Sequence, residues 1–139
     1  MGCKIFFVVA GGGHDTDRHY FDTIKTKRTV QEAAQFLSPK EIKELETVTH
    51  GRSYAAWGAV PGSGNVRTWE AMEPGDYVMV YRKGKVILAS EVAMKIRNPR
   101  LAELFWNKDT DGKTWEYMYF LINDVEVDVS QSALNKYLG

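Results

Sequence analysis

The stretch from Tyr54 to Lys85 reads YAAWGAVPGSGNVRTWEAMEPGDYVMVYRKGK. Tyr54 to Ala59 is a small-residue strand carrying one tryptophan, Trp57. A Gly/Pro loop follows from Val60 to Asn65, and Val66 to Met72 is expected to form a helical turn. Pro74-Gly75-Asp76 then turns the chain into the strand Tyr77 to Tyr81. Arg82-Lys83-Gly84-Lys85 is a hairpin turn into Val86 to Ala93. Ala55, Ala56, Gly58 and Ala59 leave space beside the indole, whereas a core tryptophan is normally surrounded by large apolar side chains. Trp57 is therefore placed to hold a flat ligand. The alternative is a core tryptophan packed under the helices.

Outward from this stretch, the N-terminal run Lys4 to Ala10 is apolar throughout and reads as a buried central strand. Gly11 to Asp17 is expected as a loop. His19 to Lys27 is expected as a short helix with Tyr20, Phe21 and Ile24 inward. Thr29 to Leu37 has helical spacing at Val30, Ala33, Ala34 and Leu37. Ser38-Pro39-Lys40-Glu41 supplies an N-cap, a proline at the first helical position and a capping-box glutamate. The helix that follows points Ile42, Leu45 and Val48 inward. Asn98-Pro99 starts a further helix ending at Trp106, and a polar loop runs from Asn107 to Lys113. Trp115 to Leu121 and Val125 to Val129 are expected strands, and Ser130 caps a last helix carrying Leu134 and Leu138. Short antiparallel strands with helices inserted early imply an α+β fold. Its form is a small barrel open at one side and flanked by helices, built as one domain over 1–139.

Eighteen Lys and Arg balance eighteen Asp and Glu, so no global positive field gathers a polyanion; local patches must do so. One cysteine, Cys3, excludes an internal disulfide and suits a reducing cytoplasm. No apolar run reaches the roughly 20 residues a membrane helix needs. Ser53, Ser63 and Ser90 lack a nucleophile-elbow context, and no paired carboxylates stand out, so the chain is not expected to be an enzyme. Gly11 to Gly13 matches neither phosphate-binding glycine pattern. His14, Asp15, Asp17 and His19 match no zinc spacing, and Asp109-Thr110-Asp111-Gly112 lacks the glutamate that closes a calcium loop. Neither a metal nor a cofactor is expected. Basic residues gather as Lys25, Lys27 and Arg28, as Arg82, Lys83 and Lys85, and as Lys95, Arg97 and Arg100. Each cluster is either a solvated face or a set of phosphate contacts beside an aromatic site.

Several of these segments resemble the YTH and EVE domains of the PUA-like superfamily. Tyr54-Ala55-Ala56-Trp57-Gly58, followed by Gly64-Asn65-Val66-Arg67, resembles the YTH segment that carries the first cage tryptophan. Leu101 to Asp109 is similar to the segment carrying the second cage aromatic, here Trp106. Phe6 to Val9 and Trp115 to Val125 resemble flanking strands. The resemblance implies a module that captures a flipped modified base in nucleic acid, with N6-methyladenine in DNA favoured. Trp57 would be the cage floor and Trp106 a wall, with Asp15 or Asp17 reading the base edge and Asn65 and Trp115 beside them. Lys25, Arg67, Arg82, Lys83, Lys85 and Arg97 would hold the backbone. The third cage aromatic would fall near Asp111, which is not aromatic; Phe105, Trp115 and Tyr54 are the nearest substitutes. Similar domains serve McrB-type modification-dependent restriction systems, which implies a motor or nuclease module as a partner. Two other readings remain. One is a PUA-like RNA-binding domain without modification specificity. The other is a small enzyme centred on His14, Asp15 and His19.

Overall fold

A computed structural model describes residues 3–108 and 111–138. Five strands form one sheet in the order β1-β3-β4-β5-β2. They are β1 (Ile5–Val9), β2 (Ala55–Ala59), β3 (Tyr77–Arg82), β4 (Lys85–Arg97) and β5 (Tyr117–Ser130). All neighbours are antiparallel except β1 and β3. The sheet does not close, so β1 and β2 are its two edges. Register shifts between Val86 and Leu88, Ala89 and Glu91, and Val92 and Met94 interrupt the long β4–β5 pair. Such bulges bend strands and raise local twist, which lets an open sheet wrap toward a barrel.

Among the described residues six α-helices flank the sheet: α1 (His14–Tyr20), α2 (Val30–Ala34), α3 (Pro39–Thr49), α4 (Ser63–Ala71), α5 (Pro99–Trp106) and α6 (Gln131–Leu138). A π-helical turn, Phe21–Lys25, continues α1. The predicted helix starts are built as the side chains dictate. Thr29 and Ser38 each make a reciprocal capping box, with Glu32 and Glu41, and Asn98 accepts from the Leu101 amide at 3.0 Å. Each such cap is worth about 1 kcal/mol. Ser130 accepts from the Ala133 amide; the side chains of Leu134 and Leu138 lie outside the described residues.

Five expectations change. Strand β1 is an edge, not a centre: Ile5, Phe7 and Val9 are half exposed, because the strand pairs with β3 alone. A continuous apolar run does not say how many neighbours a strand has. The expected loop from Gly11 to Asp17 ends early, since α1 begins at His14 with Asp15 and Asp17 in its first turn, where carboxylates suit the helix dipole. The π turn then directs Thr23 and Ile24 inward and leaves Phe21 exposed. The expected helical turn after Asn65 is a nine-residue helix from Ser63. Finally, the two strands expected from Trp115 to Leu121 and from Val125 to Val129 are one strand, β5, which begins at Tyr117, so Trp115 precedes it.

The sheet divides two cores. Leu45, Tyr54, Ala56, Met94, Leu101, Phe105, Trp106, Met118 and Phe120 fill the side beneath α2, α3 and α5. Ala55, Trp57, Met72, Val78, Val80, Val92, Tyr119 and Leu121 fill the other. Fully burying one side chain such as Leu45 stabilises by roughly 1.5–3 kcal/mol. Trp115 packs against both groups, at the point where the two cores meet.

Candidate nucleic-acid interface

Three tryptophans and a histidine converge at that point. The Trp115 ring lies 5.0 Å from Trp57 and 4.1 Å from His19, both edge-to-face, and 5.9 Å from Trp106. Edge-to-face pairs of this kind add about 0.5–1.5 kcal/mol beyond the area they bury. Trp57 is on β2 opposite Tyr119 and is 4% exposed. Trp106 ends α5 with no exposed surface. Its Nε1 donates to Thr23 Oγ1 at 3.1 Å, and that hydroxyl donates to the Ala56 carbonyl at 2.5 Å. The π turn, α5 and β2 are thus tied through one threonine.

The space expected beside Trp57 is filled in part, and the rest is the cavity that Trp57, Gly58 and Ala59 line. Gly58 has no side chain because the Trp115 carbonyl approaches to 2.5 Å of where a Cβ would stand, with the Trp106 ring at 3.3 Å. Gly58 thus serves a close approach of backbone on the Trp115 side of the strand. Trp106 is likewise no open jaw: it sits behind Trp115, on the core side.

The surface opening at this cluster is a cleft of ≈ 350 Å³, within the range of small-ligand pockets. Asp15 and Thr16 of α1, Gly58 to Val60 at the end of β2, Asn65, Asp111 and Trp115 line it. Three of the residues expected at the site, Asp15, Asn65 and Trp115, are therefore brought together. Asn65 is anchored by its Nδ2 to the Val60 carbonyl at 3.2 Å. Trp57 lines an adjoining cavity of ≈ 270 Å³ with Tyr117, Tyr119 and Trp69, and Asn65 and Gly58 belong to both. Asp17 is elsewhere: its carboxylate meets Arg82 at 2.6 Å. Of the two aspartates, only Asp15 faces the cleft.

His19 is the residue the sequence offered only as a metal or catalytic candidate. It is fully buried, and neither ring nitrogen has a hydrogen-bond partner among the described residues. Leaving a buried polar group unpaired costs about 1–3 kcal/mol. Burial, with Arg18 beside it, holds its pKa below the ordinary 6.5, so the imidazole is neutral at pH 7. The unfolded chain takes up this proton first. Stability owed to neutral His19 is therefore complete above pH 6.5 and is lost as pH falls from 6.5 toward the lowered folded value. Thermal melts should accordingly fall more between pH 7 and pH 5 for the native chain than for His19→Phe; parallel pH curves would contradict this.

The basic residues sort by environment. Lys25, Arg82, Lys83 and Lys85, joined by Lys27, line a groove of ≈ 580 Å³ with Tyr20, Ile24 and Glu126. Two expected clusters thus merge on one surface. Arg82 is largely engaged: it donates to the Ala10 carbonyl at 2.7 Å, pairs with Asp17, and lies over the Tyr20 ring at 4.4 Å. It is chiefly the clamp that holds α1 to the sheet. Its stem also packs on Gly11, which accounts for that glycine without a phosphate. Lys27 pairs with Asp124 and Lys85 with Asp128. Arg97 lies apart, bound to Glu116 at 2.7 Å and stacked over Tyr117. Arg67 is an exposed residue of α4 outside the groove. Helix α1 links the two surfaces, with Asp15 at the cleft and Tyr20 at the groove.

No group of three or more His, Cys, Asp and Glu among the described residues could hold a metal ion. The His14 side chain and Asp109-Thr110 lie outside them. No helix among the described residues is long and apolar enough to cross a membrane.

The arrangement defines a class first: an open, curled α+β sheet with helices on both sides and an aromatic cleft between α1 and the end of β2. It shares its fold with a solved structure, the N-terminal domain of Thermococcus gammatolerans McrB bound to m5C DNA. The TM-score is 0.72 at 15% identity, covering 98% of this chain and 83% of that one. The likeness extends over essentially the whole chain and is consistent with the PUA-like architecture expected from the sequence. No family model matches, and no curated protein matches.

Proposed function

We propose that this chain reads modified DNA by taking a flipped base into the cleft beside Trp115. The observation that carries the reading is the convergence of Asp15, Asn65 and Trp115 on one ≈ 350 Å³ cleft, with the Trp57 ring against Trp115. Trp57 and Trp115 supply the aromatic surfaces, and Trp106 supports them from the core. Stacking on such rings is worth about 1–3 kcal/mol per base. The Asp15 carboxylate accepts from an exocyclic N–H of the extruded base. Lys25, Lys83 and Lys85 hold the phosphates, and Tyr20 borders the same groove. The fold shared with a domain bound to m5C DNA supports modified DNA as the ligand class. N6-methyladenine is the mark favoured by the sequence resemblance. A role as the specificity part of a larger assembly with a motor or nuclease module follows from the same analogy.

The test is a fluorescence-anisotropy titration with three duplexes of one sequence, carrying one N6-methyladenine, one 5-methylcytosine or no mark. At least one marked duplex should bind about tenfold or more tightly than the unmarked one, in line with one stacked face. Equal affinities for all three would reject base reading. The basic groove by itself favours a second reading, nucleic-acid binding without discrimination, which predicts that equality together with a steep salt dependence.

A further inference from the structure

We infer that His19 is the hydrogen-bonding floor of the base cleft and that the Trp115 ring covers it until a base enters. The inference rests on the cleft being a base pocket and names the residue that selects among bases.

His19 has no exposed surface, and both ring nitrogens lack partners. Native proteins seldom leave a buried polar side chain in that condition, and the exceptions need an account. The Trp106 main chain is the one acceptor near the imidazole, and no ring N–H of His19 reaches it or any other acceptor among the described residues in hydrogen-bonding geometry. Its ring neighbours are Trp115 at 4.1 Å and Trp106 at 5.8 Å, and a phenylalanine would serve such contacts as well. The remaining account is that the partner arrives with the ligand.

Trp115 stands between His19 and the cleft: it touches the imidazole edge-on and lines the opening. It lies in a segment without helix or strand, just ahead of β5. The Trp115 carbonyl is lodged against Gly58, so an entering base displaces the ring about its side-chain bonds and leaves the main chain in place. A turn about the side-chain bonds uncovers His19 and presents the indole to the entering base.

The chemistry then sorts the bases. A neutral imidazole carries one N–H and one bare nitrogen. With Asp15 accepting from an exocyclic amino group, the His19 N–H donates to the adjacent ring nitrogen. Adenine and cytosine, and their methylated forms, offer that amino-and-bare-nitrogen pair. Guanine and thymine offer a carbonyl and an N–H in its place, which would oppose acceptor to acceptor and donor to donor. His19 and Asp15 together therefore select amino bases, while the aromatic surfaces sense the methyl group.

The experiment repeats the three-duplex titration with His19→Phe, which keeps an aromatic ring and removes both nitrogens. Its melting temperature at pH 7 should match or exceed that of the native chain. Its affinity for the preferred marked duplex should fall about tenfold, the scale of one hydrogen bond to a buried group, with the unmarked duplex unchanged. A marked-to-unmarked ratio equal to that of the native chain would overturn the role of His19 while leaving base reading intact. A native chain with no preference would overturn both. The second measurement uses the native chain alone, by two-bond 1H–15N NMR of its three histidines. A ring nitrogen of His19 should move to a hydrogen-bonded shift with the marked duplex and not with the unmarked one. An unmoved His19 signal in the marked complex would also overturn the inference.

Discussion

Trp57→Ala will bring the affinity for a marked duplex down to that for the unmarked one, a loss of about tenfold to a hundredfold. The range is that of stacking on one indole face, about 1–3 kcal/mol. The substitution also removes a buried side chain that packs with Met72, Tyr119 and Leu121, so a stability loss of about 3–5 kcal/mol accompanies it. Unfolding would mimic lost binding, so the folded fraction is checked by circular dichroism at the titration temperature. A comparison with Trp106→Phe separates the two effects. That change breaks the bond from Trp106 Nε1 to Thr23 and lowers stability, but it alters a ring with no exposed surface. Its marked-to-unmarked ratio should be that of the native chain. A collapsed ratio for Trp106→Phe with an intact one for Trp57→Ala would reverse the assigned roles, making Trp106 the binding surface and Trp57 the support.

How much of this was legible in the sequence depends on whether the signal was local. The helix starts at Ser38-Pro39 and Asn98-Pro99 were legible because a cap is decided within four residues. The hairpin between β3 and β4 was legible for the same reason, with Lys83 and Gly84 both at positive φ. The edge position of β1 was not, because strand order is set by pairing between residues more than seventy positions apart. The Lys25 and Lys83 clusters were legible as separate basic patches, but their meeting in one groove was not, because it depends on how the π turn packs beside the β3–β4 hairpin. Asp15 and Asp17 were interchangeable on paper. Arg82 tells them apart, since it claims Asp17, and that partner is 65 residues away. The small residues around Trp57 carried two signals at once, a cavity beside the indole and the close approach of Trp115 to Gly58, and only the first could be read locally. His19 stood out in the sequence only as a metal or catalytic candidate, because a histidine among aspartates on a short helix looks solvated. Its burial against Trp106 and Trp115 comes from residues more than eighty positions away.

Gly58→Ala is expected to be the most damaging glycine-to-alanine change among the described residues, because the added methyl meets the closest backbone contact. A strand glycine normally gains from alanine, since glycine costs roughly 0.5–1 kcal/mol in regular structure. Here the added methyl would stand 2.5 Å from the Trp115 carbonyl and 3.2 Å from that of Tyr117. Neither obstacle is the flexible end of a side chain. The Tyr117 main chain is fixed by its pairing with Ala59 and Arg97, so relief must come from moving Trp115 outward. Overpacking of this kind costs about 3 kcal/mol, which for a chain of this size lowers the melting temperature by roughly 10 °C. The displaced Trp115 also loses its contacts with Trp57 and His19 and takes one wall of the cleft with it. Stability and base preference should therefore fall together, whereas a defect confined to the fold would leave the preference of the folded fraction intact. Gly64→Ala is the matched control, because a methyl there meets open space within α4 and should leave the protein equally or slightly more stable. A melting temperature for Gly58→Ala within about 2 °C of the native value, well below the expected drop, would show that β2 and Trp115 are not packed this closely. The coupling of the strand to the cleft would then have to be abandoned.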